Sequence, residues 1–425
     1  MNRLGAGAVT AAVALVGAVP VAAAHDADRP PGPRVVTEGL DNPRQLNWDQ
    51  EGDSLVVAEA GRGGEQCTEA GCVGTTGAVT LVDDPHRWTP TVSTVAEGFV
   101  SSAAPDGSFA VGANGADATD VAGQYLVAGY DPDRPPMRNG AMLVAGTEDG
   151  QEYLLPYADL QAAEEELNPD GAQIESNPYA VLFVDEDGGT SPDGYALVAD
   201  AAANTVWKIE PDFSTATEDT PPQYEITAWA TWPTTVLPDG TDDPAGPAEF
   251  VPTALAADED GDVYVGGLGS ERPGEASVVR FSADGTELDR WDGFTAVTGV
   301  AVDRGHLYVS QLFGPTPPLP PGQTPAEEAP PAAGTAPGQV VVLHRHHEDP
   351  VRWAIDVPLP AGLAADDRGH VYAAVNSVAP AEGIAAGPQN PFGALGGGAV
   401  WELDFSDAYR MDPVQHAGTG DAADG

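Results

Sequence analysis

The chain has 425 residues, and 66 Asp and Glu against 17 Lys and Arg give it a formal net charge of −49 at neutral pH. A surface this acidic repels nucleic acids and anionic membranes, so neither is expected as a partner. The 51 Gly and 40 Pro residues favour many turns over long helices, and a hydrophobic content of 42% suffices for a packed core. The composition therefore predicts an all-β protein.

The first residues have the pattern of an export signal. Arg3 supplies a positive charge, Ala6 to Val19 form an uncharged apolar stretch, and Ala22 to Ala24 offer a small-residue cleavage site. The alternative is a membrane anchor, but the apolar run is short for a spanning helix and no second run follows. We predict a signal peptide over residues 1–24, a flexible segment over 25–33, and a secreted protein without membrane attachment after cleavage.

The chain contains two cysteines, Cys67 and Cys72, which lie five positions apart in a Gly-rich loop. In the oxidising compartment that an exported protein enters, such a pair is expected to form a local disulfide. A metal site would need further soft ligands nearby, and the surrounding segment GRGGEQCTEAGCVG supplies none.

A strand pattern recurs along the chain. Each repeat has a short apolar strand, an Asp/Gly-rich turn, and a second strand of alternating or continuous β-branched and aromatic residues. The second strands occur six times, as SLVVAEA from Ser54, QYLVAGY from Gln124, YALVADA from Tyr195, DVYVGGL from Asp262, HLYVSQL from His306 and HVYAAVN from His370. Helical periodicity is confined to Asp159 to Leu167. Six equivalent units predict a β-propeller, whereas a β-sandwich or two smaller β domains would predict no such count.

Third strands follow in every unit, but a fourth strand is missing from the last. The segment RVVTEGL at Arg34 to Leu40 resembles STVAEGF, the fourth strand of the first unit, at Ser93 to Phe99. We therefore predict a six-bladed propeller over residues 34–405 with four-stranded antiparallel blades, in which the N-terminal strand closes the last blade and removes exposed edges. Residues 406–425 are expected to form a flexible acidic tail.

Any functional site should lie on the face that carries the loops between second and third strands. Three of these loops are long: Gly61 to Thr76, a Pro-rich loop from Gly314, and a loop from Ser377, and loops of such length are commonly functional or disordered. The same face carries the beginnings of the first strands, including Thr253. Polar side chains around the channel mouth could bind a small polar molecule or a protein partner, or could instead satisfy backbone groups and channel waters. The candidate binding residues are Asn42, Arg44, Glu59, Arg62, Asn177, Tyr179, Asp200, Asn204, Gln311 and Asn376.

Two other patterns could hold metal ions. The acidic runs Asp258 to Asp262 and Asp185 to Asp187 have the oxygen ligands that Ca²⁺ prefers, but they lack a full calcium-loop spacing and fall where hairpin turns are expected. His344, His346 and His347 could bind a metal through imidazole nitrogen, on the opposite face. No nucleophile elbow, zinc-protease motif or phosphate loop occurs.

The blocks GLDNPRQLNWDQEGDSLVVAEAGRGGEQC and NPYAVLFVDEDGGTSPDGYALVADAAANTVWKIE resemble ScyD/ScyE family proteins, which are exported propellers. A more distant similarity joins the chain to NHL-repeat and gluconolactonase-like propellers. That likeness implies a channel-bound divalent cation held by a Glu, an Asn and an Asp. Asn177 matches the Asn, whereas Arg44 and Thr253 fall at the other two positions.

These observations favour a secreted, monomeric binding or scaffold protein that uses its long-loop face. The alternative is a metal-assisted hydrolase, lactonase-like, or an oxidoreductase, with Ca²⁺ or another divalent cation in the channel. The acidity itself fits either adaptation to saline surroundings or a general gain in solubility.

Overall fold

A computed structural model describes the protein at residues 32–50, 52–68, 71–119, 123–129, 141–148, 151–184, 194–212, 223–234, 246–314, 338–347, 350–386 and 394–411. The expected signal peptide, most of the segment that follows it, the acidic run Asp185 to Asp187 and most of the Pro-rich loop lie outside these residues. No helix within the described ranges is both long and apolar enough to cross a membrane.

The described chain forms six antiparallel sheets in sequence order, which are the blades of a propeller. Strand β1 (Arg34–Leu40) comes first in the chain and belongs to the last blade. Blade 1 contains β2 (Pro43–Asp49), β3 (Ser54–Glu59), β4 (Gln66–Thr68), β5 (Gly71–Asp83) and β6 (Thr91–Ala103). Blade 2 contains β7 (Gly115–Ala118), β8 (Gln124–Ala128), β9 (Ala141–Glu148) and β10 (Gln151–Asp159). Helix α1 (Leu160–Leu167) follows, and blade 3 contains β11 (Pro178–Val184), β12 (Tyr195–Asp200), β13 (Thr205–Asp212) and β14 (Gln223–Thr231).

The remaining three blades follow the same plan. Blade 4 contains β15 (Pro252–Ala257), β16 (Val263–Gly267), β17 (Ala276–Phe281) and β18 (Glu287–Phe294). Blade 5 contains β19 (Val297–Asp303), β20 (His306–Gln311), β21 (Gln339–His344) and β22 (Trp353–Asp356). Blade 6 contains β23 (Leu363–Ala365), β24 (Val371–Val375) and β25 (Gly398–Glu402), in addition to β1. All six predicted second strands are present, and the six-bladed propeller is confirmed.

The two ends of the chain meet in blade 6, as the sequence predicts. Strand β1 pairs antiparallel with β25, from Arg34 opposite Glu402 to Leu40 opposite Gly398. The Arg34 guanidinium also forms an ion pair with Glu402 at 2.6 Å. Backbone and side-chain bonds thus fasten the start of the ring to its end.

The hydrophobic core is divided among the contacts between blades. Six buried clusters each join one blade to the next, and the cluster with Leu46 and Tyr372 joins blade 6 back to blade 1. The second strands β3 and β12 are buried along their whole length, which explains their near-continuous apolar sequence. The ring is therefore closed by packing at every blade boundary.

Two blades exceed the predicted four strands. In blade 1 the extra strand β4 folds back on β5 as a short hairpin that carries Cys67 and Cys72. In blade 5 a further strand, β26 (Tyr409–Arg410), pairs with β22, and the Tyr409 hydroxyl donates to Asp356 at 2.9 Å. Ordered structure therefore continues to residue 411, past the predicted boundary at 405.

Candidate functional site

The long-loop face comprises the loops between second and third strands together with the connections that lead into the first strands. Blade 1 contributes the largest described element of this face, the β4–β5 hairpin. A disulfide joins Cys67 to Cys72 across it, as the sequence predicts. The hairpin and its neighbouring loops are the natural place to look for a site.

Three candidate residues at the ends of second strands have the same structural role. Each accepts a hydrogen bond from a backbone N–H just before the first strand of its own blade. Glu59 accepts from Asp41 at 2.7 Å, Asp200 from Asn177 at 2.7 Å, and the Gln311 side chain from Thr295 at 2.6 Å. These side chains therefore fasten the beginning of each blade to its second strand.

Glu59 and Asp200 accept further hydrogen bonds. The second oxygen of Glu59 accepts from the Thr80 hydroxyl at 2.5 Å. Asp200 accepts from the Ser176 hydroxyl at 2.5 Å and from Trp207 at 3.2 Å. Burial raises the pKa of both carboxyl groups despite these bonds. Every carboxylate oxygen of these two residues therefore already accepts at least one hydrogen bond, and Asp200 accepts four in all.

The candidate asparagines support the backbone in an unusual conformation. Asn42, Asn204 and Asn376 all have positive φ angles, between 45° and 51°, a region that Asn tolerates because its short amide can bond locally. Asn42 donates to Gly61 and Gly107, each at 2.8 Å, so both of its amide hydrogens are used. Asn204 and Asn376 likewise bond Thr234 and Gly397. These residues shape the loops of the face.

The sequence analysis missed a polar side chain that links two blades. Gln45 reaches from β2 to β11, where it donates to the Val181 carbonyl at 2.7 Å and accepts from the Val181 N–H at 2.9 Å. It passes Gly115, where an added Cβ would meet the Gln45 amide oxygen at 2.7 Å. Its only sequence signal was a polar residue inside a buried first strand.

The cation site implied by the lactonase likeness does not fit these residues. Arg44 is buried, and it donates to the Ala110 carbonyl at 2.6 Å. Thr253 donates to the Val297 carbonyl at 2.7 Å, and the Asn177 amide oxygen accepts from Asn114 at 3.3 Å. A guanidinium would repel a cation, and hard cations need several free oxygens. Tyr179 is half-buried at the start of β11 and adds no carboxylate.

Comparisons with known proteins find similarity in overall form only. No protein-family model matches the sequence, and no curated protein matches it. Among solved structures, similarity is found to luciferin-regenerating enzyme (11% identity, 89% of this chain and 97% of that one, TM-score 0.43), to a gluconolactonase from Xanthomonas campestris (14%, 87% and 89%, 0.37) and to streptogramin B lyase (10%, 88% and 97%, 0.40). Likeness at this level assigns neither a family nor an activity.

Arg62 is the one candidate residue that is largely exposed. It forms an ion pair with Glu382 at 2.9 Å and lies 3.7 Å from Asp41. Asp41 in turn accepts from the Ala381 N–H at 2.8 Å. The Phe109 N–H donates to the Val378 carbonyl at 3.1 Å. These bonds join residues 61–64, 104–111 and 377–384 into one surface, which we call the platform.

The opposite face holds a group of potential metal ligands. Among the described residues, one atom each from Asp53, Asp84 and His86 lie within 4.8 Å of one another. Both Asp53 oxygens, however, accept from the Arg368 guanidinium at 2.7 and 2.8 Å, and this contact lowers the pKa of Asp53. A cation at this place would have to displace a paired arginine.

The other metal patterns also lie on this face. It carries the turns between first and second strands and between third and fourth strands, and we call it the hairpin face. Asp258 accepts from the N–H groups of Asp260 and Asp262, each at 3.0 Å, and forms a buried ion pair with Arg345. The acidic run is thus a hairpin turn, as expected. His344 contacts His306 and His347, with ring centroids 5.2 and 4.7 Å apart, and burial together with neighbouring positive groups lowers its pKa.

Proposed function

We propose that the protein is an exported, monomeric binding or scaffold propeller of the ScyD/ScyE type that engages a protein partner through the platform. The observation that carries this proposal is a contrast in how polar groups are used. The candidate carboxylates and amides near the channel are consumed by internal hydrogen bonds, whereas the platform presents Arg62 beside exposed apolar side chains. Binding on the platform needs no catalytic group.

The platform has the character of a preformed docking surface. Phe109 and Val111 are each 42% exposed and lie two residues apart on one of its loops. Gly107 on the same loop lies against Arg62 and Pro380, since a Cβ added there would meet each of them at 3.3 Å. A surface held by cross-bonds between blades loses little conformational entropy on binding.

Charge indicates the chemistry of the partner. The described arginines on this face that reach solvent are Arg62 and Arg272. The described residues of this face also include a larger number of exposed carboxylates: Glu65, Asp106, Glu165, Glu166, Glu175, Glu275 and Glu382. Exposed apolar side chains on a mainly acidic face favour a basic protein segment with apolar side chains, because complementary potentials accelerate encounter and suppress other partners.

A matched pair of variants tests the platform. Val111→Ser removes an exposed apolar side chain from it without adding charge, and Val92→Ser makes the same change on the outer strand of blade 1, where Val92 is 44% exposed. A labelled amphipathic Leu/Arg peptide serves as the probe, with fluorescence anisotropy at physiological salt. We expect Val111→Ser to weaken binding by about tenfold, as for a residue in an interface core, and Val92→Ser to leave it unchanged. Equal behaviour of the two variants, or no saturable binding, would count against the proposal.

The alternative function, a metal-assisted hydrolase or an oxidoreductase, requires free ligands in the channel. The bonds of Glu59, Asp200 and Thr253 leave no such set among the described residues there. We therefore expect no hydrolysis of gluconolactone above background with added Ca²⁺, Zn²⁺ or Mn²⁺. Metal-dependent turnover that is lost in Asn177→Ala would revive the enzymatic reading.

A further inference from the structure

Helix α1 carries a buried carboxyl group for which the fold provides no partner. The helix lies between β10 and β11 on the long-loop face, where Leu160 and Ala163 pack into the core shared by blades 2 and 3. Glu164, on the inner side of the helix, is fully buried, and neither of its carboxylate oxygens has a hydrogen-bond partner among the described residues. Polar groups are rarely buried in this way, because the loss of hydration is not compensated.

Two further buried carboxyl groups lie near Glu164. Asp170 and Asp200 are 5% and 0% exposed. Burial, reinforced by the negative charges of these two residues, raises the pKa of Glu164 to about 8. The ion pairs of the described chain include none with these three carboxylates. Carboxyl groups are therefore concentrated beneath α1 without a basic side chain beside them among the described residues.

Helix α1 ends at Leu167, and Asp170 follows shortly after its C-cap residue, Asn168. Asn168 ends the helix in the left-handed conformation, with φ of 35°, and its N–H donates to the Glu164 carbonyl at 2.9 Å. The last turn contains no basic residue, although the carbonyl end of a helix attracts positive charge. A cation at this position would interact favourably with both the helix and the carboxylates.

The two aspartates differ in the oxygens they can offer. Asp170 accepts one described bond at each oxygen, from Ala172 at 2.9 Å and from the Thr234 hydroxyl at 3.2 Å, which leaves lone pairs on both. Asp200 is saturated by four donors and can act only through its charge. Glu164 and Asp170 are thus the available ligands.

We propose that Glu164 and Asp170 bind a hard divalent cation, Ca²⁺, beneath helix α1. The donors are all oxygen, which selects Ca²⁺ over the transition metals that imidazole and thiolate prefer. Ca²⁺ also accepts irregular coordination and can complete its shell with backbone carbonyls and water. The cation holds α1 against blade 3 and neutralises the carboxyl groups that the fold leaves uncompensated.

The experiment compares Glu164→Gln with Glu166→Gln, an exposed carboxylate on the same helix. The full chain is stripped of metal, and Ca²⁺ binding is measured by calorimetry, by the rise in melting temperature, and by Tb³⁺ luminescence sensitised by tryptophan. We expect Glu164→Gln to weaken the tightest site by about tenfold or more, and Glu166→Gln to leave it within about twofold, because ligand charge sets affinity. Asp170→Asn should reproduce the loss.

Two results would overturn the proposed Ca²⁺ site. Equal Ca²⁺ affinity in wild type and Glu164→Gln would overturn the site, since only general attraction to an acidic surface would remain. A wild type that is stabilised by acidification but not by Ca²⁺ would also overturn it, because Glu164 would then be a protonated acid. If Glu164→Gln fails to fold, Asp170→Asn and Tb³⁺ luminescence still decide the question.

Discussion

The two faces of the propeller differ in how several of their acidic residues are compensated. On the hairpin face, the buried Asp258 pairs with Arg345 and the partly exposed Asp53 pairs with Arg368. On the long-loop face, Glu59 and Asp200 rely on N–H and O–H donors, and Glu164 has no hydrogen-bond partner among the described residues. All six histidines that the structure describes also lie on the hairpin face. Negative potential is therefore least balanced on the long-loop face, where we expect cations and basic partners to bind.

The largest stability loss is expected when the Arg345 side chain is removed. Its side chain and that of Asp258 are 1% and 0% exposed. Arg345→Ala leaves a buried carboxylate unpaired, which should lower the free energy of unfolding by about 3–5 kcal/mol. Urea unfolding measures the loss. The control is Arg368→Ala, whose ion pair is 42% and 36% exposed and should contribute about 0–1 kcal/mol. Similar losses in both variants would contradict the account.

On the long-loop face the corresponding change is Asp200→Ala. It removes the acceptor for the Ser176 hydroxyl and the Asn177 N–H in a buried position. An unsatisfied buried donor costs about 1–3 kcal/mol, so we expect a loss of about 2–3 kcal/mol by urea unfolding. Glu175→Ala, an exposed carboxylate on the same face, should change stability little. A neutral Asp200→Ala would mean that these bonds do not hold the blade.

The sequence predicted the architecture because the architecture repeats. Six second strands gave the blade count, and the likeness of RVVTEGL to STVAEGF gave the closure through β1. The disulfide followed from local spacing alone. Strand β26 was not predicted, because two residues in a polar tail show no strand pattern. Ordered pairing there depends on the exposed edge of β22.

The site was harder to predict because exposure and saturation are tertiary properties. Asp200 and Glu164 are both acidic residues near strand or helix ends, and nothing in their neighbourhoods distinguishes them. In the described part of the fold, Asp200 accepts hydrogen bonds from four donors and Glu164 from none. Gln45 likewise acts across two blades, on Val181, far away in sequence.

Buried carboxyl groups and buried histidines should also make stability respond to pH with opposite signs. Glu164 has a raised pKa in the folded protein, so its contribution is complete below its ordinary value of 4.5 and is lost as the pH rises through about 8. Asp117, whose pKa burial raises to about 7, adds to this decline. His306 and His344 have lowered pKa values, so they destabilise the fold as the pH falls below their ordinary value of 6.5.

Unfolding in calcium-free buffer tests this difference. Glu164→Gln should flatten the decline in stability between about pH 5 and about pH 8 by on the order of 1–2 kcal/mol. A double His306→Gln, His344→Gln variant should flatten only the acidic limb. If Glu164→Gln leaves the alkaline limb unchanged, its carboxyl group is not uncompensated in the fold.

The screening of surface charge by salt should have the smallest effect per residue. With a net charge of −49, the folded protein is destabilised by self-repulsion that molar salt screens, since the Debye length then falls to about 3 Å. We expect the melting temperature to rise steadily from low to molar NaCl. A flat response would remove saline adaptation as the explanation of the acidity.

Hydrogen exchange with and without the amphipathic Leu/Arg peptide tests most directly whether the long-loop face is the binding face. The account predicts slower exchange in residues 61–64, 104–111 and 377–384 when the peptide binds. It predicts no change around His344 and His370 on the hairpin face. Protection confined to the hairpin face, or spread evenly over both faces, would contradict it.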